Sequence, residues 1–71
     1  MNKAIRIKAE EIAREIIINE VRSEGLDINL LTEAELNKTA KKLVNVVSSI
    51  RTAAREHLVK TKKIAALKNT P

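Results

Sequence analysis

The sequence predicts an all-α protein, an antiparallel helical hairpin whose second helix is long. Three observations carry that expectation. Apolar residues recur at three- and four-residue spacing through two long segments. The only glycine, Gly25, stands between those segments. The stretch "LLTEAEL" then opens the second segment with a helix-start signature.

The first helix is expected over about residues 3–24. Ala9, Ile12, Ala13, Ile16, Ile17 and Val21 form one apolar stripe. Arg6–Glu10 and Glu10–Arg14, each four apart, are within reach of one another on the solvent side. Gly25 supplies the left-handed residue that ends helices, and Leu26 is placed to fold back on the last turn. The connection spans residues 25–31. Its Asp27-Ile28-Asn29 begins like a calcium loop but lacks the glycine and distal glutamate such a loop needs, so it reads as a polar loop.

The second helix is expected over about residues 33–66, with Thr32 as N-cap and Glu35 at the third helical position in a capping box. Leu31 and Leu36 flank it at the spacing of a hydrophobic staple, and Glu33 and Glu35 sit where the helix dipole favours negative charge. Residues 67–71 read as a frayed tail. One segment has a rival reading. "AIRIK" alternates like a strand, which resembles the start of ribbon-helix-helix DNA-binding proteins. The connection here is longer, and the second helix much longer, than that pattern wants.

The window "TAKKLVNVVSSIRTAAREHL", Thr39 to Leu58, can be read in two ways. Ala40, Leu43, Ile50 and Ala53 fall at spacings that resemble, generically and over about twenty residues, a helix-turn-helix with a break near Val44–Val47. The turn would then put Val44 at positive φ, where a β-branched residue is an outlier. Against this, Leu36, Ala40, Leu43, Val47, Ile50 and Ala54 continue one heptad stripe straight across the turn. That continuity favours a single unbroken helix. Val44, Val46, Ala53 and Leu58 widen the stripe, so it wants more than one neighbour.

Size points to association. A 71-residue chain buries only roughly 60% of its unfolded surface, and small domains compensate with disulfides, metals or oligomers. With no cysteine and one histidine, disulfides and thiolate metal sites are excluded and a structural zinc site is not expected. The expectation is a homodimer in which two hairpins form a four-helix bundle, with Ile12, Ile16, Leu36, Leu43, Val47 and Ile50 in the core and interface.

Charge is polarised along the chain, whose net charge is +5. Residues 1–37 carry five Lys and Arg against eight Asp and Glu, whereas residues 38–71 carry nine against one. A basic second half suggests an anionic partner. The chain has no aromatic residue on which single-stranded bases could stack, so duplex DNA is the expected nucleic acid. Lys38, Lys41, Lys42, Arg51, Arg55, Lys62 and Lys63 would neutralise phosphates, and Ser48 and Ser49 would add hydrogen bonds. Only with a real turn near Val44 would Ser48, Ser49 and Arg51 become base readers. The alternative is a protein-interaction module, an adaptor or inhibitor whose basic helix docks an acidic protein surface.

No catalytic, cofactor or metal site is legible. His57 lacks a nucleophile to activate, and one glycine cannot build a phosphate loop. No enzyme, small-molecule substrate or membrane partner is therefore expected. With no signal peptide and no long apolar run, the expected location is the cytoplasm.

Overall fold

Asn2 starts the first helix. Its side chain accepts from the amides of Ala4 (2.7 Å) and Ile5 (3.4 Å), which are left without partners at a helix start. The computed structural model describes residues 2–64, so the expected tail at 67–71 and helix residues 65–66 lie outside the described residues. Helix α1 runs Lys3–Ser23. It absorbs the strand-like "AIRIK", burying Ile5 and leaving Ile7 half exposed. Among the described residues there is no strand, and the ribbon reading falls with it.

Gly25, at φ 76°, ends α1. Its amide donates to the Arg22 carbonyl at 3.0 Å and the Leu26 amide to Val21 at 3.1 Å, the two bonds of a Schellman motif. The Leu26 side chain does not fold back as expected but remains 56% exposed. Asp27 then accepts from the Asn29 amide, and a single 3-10 turn, Ile28–Leu30, leads to Thr32.

Helix α2, Glu33–Val46, begins with the expected capping box. The Glu35 amide donates to Thr32 Oγ1 (3.1 Å), while the Thr32 amide donates to Glu35 Oε1 (2.9 Å). These bonds from Thr32, the backbone one first, hold the Glu35 carboxyl below the usual carboxylate range.

The expected single second helix is broken at Val47, and α3 follows as Ser48–Lys60. Val47 adopts φ −112° and ψ 95°, an extended conformation comfortable for a β-branched residue. The break thus needs no positive φ, and the objection to a turn at Val44 does not apply to it. It does not make a helix-turn-helix either. Ala53, which that motif would bury, is exposed, and α2 and α3 both pack along α1.

The core explains the break. It consists of rows of residues four apart: Ile5, Ala9 and Ala13 on α1; Leu36, Ala40 and Val44 on α2; Ile50, Ala54 and Leu58 on α3. Such a row drifts about 40° around the helix per step. Extended straight beyond Val44, the α2 row would next present Ser48 and Thr52. One extended residue resets the phase, and α3 brings Ile50, Ala54 and Leu58 into the core with α1. Four of these nine residues are alanines, whose small side chains let the backbones approach closely. Of the other residues expected in the core, Ile12, Leu43 and Val47 pack half-buried against it, and Ile16 is 46% exposed.

Helix α3 ends at Lys60, short of the expected 66, in a second Schellman motif. Lys62, at φ 60°, takes the glycine position, with Lys62 and Lys63 amides donating to Val59 and Leu58 carbonyls. Ile64 then packs against the core. Arg14 does not pair with Glu10 but reaches α2, where it bridges both carboxylate oxygens of Glu33 at 3.1 and 3.3 Å. No described helix is long and apolar enough to cross a membrane.

Candidate nucleic-acid interface

Each helix turns about 100° per residue, so a residue's flank follows from its offset to the buried row. On α1, Arg6 and Glu10 lie to one side of Ile5–Ala9–Ala13, and Lys8 and Ile12 lie to the other. The first side adjoins α2, where Arg6, Glu10, Lys41, Val44 and Asn45 line one shallow cleft. The second adjoins the end of α3, where Ala4, Ile7, Lys8, Glu11, His57, Leu58 and Lys63 line another. Each side of α1 therefore carries a cleft with two Lys or Arg side chains and one carboxylate.

On the first side Lys41 and Asn45 contribute from α2, with Lys38 on the adjoining outer face. Ser48 and Arg55 belong to α3, where Arg55 lines a separate hollow with Glu56, Val59 and Lys60. Lys38, Lys41, Asn45, Ser48 and Arg55 are all exposed. Arg51 lies on the same stripe as Arg55, but its guanidinium donates to the Val44 carbonyl, left without a helical donor by the break. Arg51 is thus a cap for α2. Ser48 and Ser49 occupy the first turn of α3, whose N-cap, Val47, offers no side-chain acceptor. Because Arg51 is held by α2, these three do not form a set free to read bases.

The remaining candidates lie elsewhere. Lys42 and Ser49 are exposed on the outer face, turned towards the Leu43 side rather than the Arg6 side. Lys63 sits in the cleft with Lys8 and His57, across α1 from Lys41, and Lys62 serves the turn that ends α3. The nine candidates are not one surface.

Sequence reasoning confined to the second half missed two cations of α1. Arg6 shares the cleft with Lys41, and Lys3 lies one turn earlier on the same stripe. The signal was the net negative charge of residues 1–37, which hid two cations at the end that meets the basic half. Glu10, half buried between Arg6 and Lys41, is the carboxylate of that cleft. Comparison with protein-family models, curated proteins and solved structures finds no match.

Proposed function

We propose that this chain is a non-enzymatic protein that binds double-stranded nucleic acid along its sugar-phosphate backbone, through the side of the hairpin that carries Lys3, Arg6, Lys38 and Lys41. The observation that supports it is the cleft in which Arg6 of α1 joins Lys41 and Asn45 of α2. Cations from the two halves of the sequence, Arg6 and Lys41, converge there, with the single carboxylate Glu10 between them. Lys and Arg supply the charge that releases counterions from phosphates, and Asn45 and Ser48 supply hydrogen bonds that fix register. With Arg51 engaged by Val44 and no aromatic residue in the chain, binding is to backbone rather than to base edges or unstacked bases.

The test is anisotropy of a labelled duplex titrated at several salt concentrations. An R6A/K38A/K41A triple variant is expected to lower the slope of log K against log salt by about 3, near one per lost phosphate contact. Lys62→Ala and Lys63→Ala, off this flank, are expected to change it far less. Absence of binding at low salt overturns the reading and directs the basic flank to an acidic protein partner.

A further inference from the structure

The two ends of the hairpin differ in shape and in charge. At one end the connection between α1 and α2 exposes Leu26 and Leu30, the latter by 73%. Residues 20–35 around them carry five acidic side chains against Arg22. Among the described residues only Glu33 of these five is in a salt bridge, with Arg14. At the other end the start of α1 meets the end of α3 around a cleft of about 270 Å³. Ala4, Ile7 and Leu58 give it an apolar lining, and Lys8 and Lys63 stand beside them with Glu11. We propose that the leucine-bearing loop of one copy of this chain enters the cleft of the next, so that copies associate end to end. The inference does not rest on nucleic-acid binding and is tested without it.

Three observations select a second copy as the occupant. The first is charge. Residues 3–11 and 55–63, the two segments that meet at the cleft, carry seven Lys and Arg against three Glu, whereas residues 20–35 carry one against five. Lys8 is paired with Glu11, but neither salt bridge among the described residues uses Lys63. Two loops brought together would oppose acid with acid, and two clefts base with base. The unlike ends are the ones whose charges match. The second observation is reach. Helix α1, about 31 Å long, separates the loop from the cleft of its own chain, so the two can meet only between molecules.

The third observation is shape. Of the five exposed large apolar side chains among the described residues, three lie at these ends: Leu26 and Leu30 on the projecting loop, and Ile7 in the cleft. An apolar projection on one copy thus faces an apolar hollow on the next. A contact between two different patches is heterologous, so each added copy leaves one loop and one cleft unused and the assembly stays open. The molecule is 44 Å long but only about 20 Å across. An end face of that width buries on the order of 300–400 Å² per partner, well below a standard interface, so the contact is weak.

Sedimentation equilibrium of the full chain, without nucleic acid and at low salt, measures the association directly. The average mass is expected to rise with concentration, to pass that of a dimer by about 1 mM, and to fall back as salt is added. Leu30→Asp and Ile7→Glu, at exposed positions outside the core, are each expected to weaken association about tenfold or more while keeping the helical circular dichroism signal. Mixed in equal amounts, the two variants are expected to associate again but to stop at a dimer. The Ile7→Glu copy keeps its loop, and the Leu30→Asp copy keeps its cleft. A wild-type chain that stays monomeric at about 1 mM overturns the proposal. So does a wild-type mass that levels off at the dimer, or a mixture that does not associate. Loss of duplex binding leaves all these results untouched, so the two readings fail separately.

Discussion

The two places where this chain leaves a helix and starts another differ in where their instructions lie. Between α1 and α2 every step has a local agent: Gly25 at positive φ, two Schellman bonds, the Asp27 side chain on Asn29, and the Thr32–Glu35 capping box. Between α2 and α3 there is one extended residue, no glycine, no side-chain N-cap, and a guanidinium from the following turn on the Val44 carbonyl. The first junction would form in any helical hairpin that carried it. The second exists because Val44 and Ile50 both have to reach α1.

If packing dictates the second junction, the largest effect should come from its core. Ile50→Ala removes the first anchor of α3 and is expected to cost about 3 kcal/mol by denaturant unfolding. A cost below about 1 kcal/mol would mean that α3 is held by something other than its row on α1.

The local junction should yield to loss of its cap. Thr32→Ala is expected to cost about 1 kcal/mol, a fall of roughly 4–8 °C in Tm at fixed concentration. It should also alter the pH profile. The folded-state pKa of Glu35 is lowered from 4.5, so its contribution is present above that value and lost as pH falls through the lower folded value. Melting curves from neutral pH to below 4 should show the wild type losing this increment, Thr32→Ala, which keeps the amide bond to Glu35, losing a smaller one, and Glu35→Ala lacking it.

The two Schellman ends sharpen the same contrast. Gly25 occupies its left-handed position freely, whereas Lys62 occupies one at a steric cost. Lys62→Gly is expected to raise stability by about 0.5–1 kcal/mol, and Gly25→Ala, although it meets no neighbouring atom, to lower it by a similar amount.

The smallest expected effect is the most discriminating. Ser48→Pro places proline at the first position of α3, where the ring's fixed φ suits a helix start and Val47 already has the extended backbone that precedes proline. A change within about 1 kcal/mol is expected. In one continuous helix the same substitution would cost about 3 kcal/mol or more, so a loss of that size would restore the unbroken helix.

The basic flank was only half legible for a related reason. Lys38 and Lys41 could be named from the charge of the second half. Arg6 could not, because nothing in its neighbourhood says that α1 returns its N-terminal end to that side. Arg51 read as a phosphate ligand because a free carbonyl two turns away in a broken helix has no sequence signature. Lys63 read as part of the same face because an unbroken helix carries its stripe onward, whereas the turn at Lys62 takes Lys63 to the other side of α1.

Local chemistry was enough for the helical class, the first helix and the start of the second. Capping bonds, a left-handed glycine and apolar periodicity act over a few residues and need no partner to specify them. The break at Val47 and the placing of Lys41 and Lys63 on opposite sides of α1 came from packing. On a continuous helix the heptad through Leu43 and Val47 is a sound stripe, and only contact with α1 selects the rows through Val44 and Ile50 instead. A row of every fourth residue drifts around its helix, so how long a partner can stay straight is a property of the pair and not of either segment.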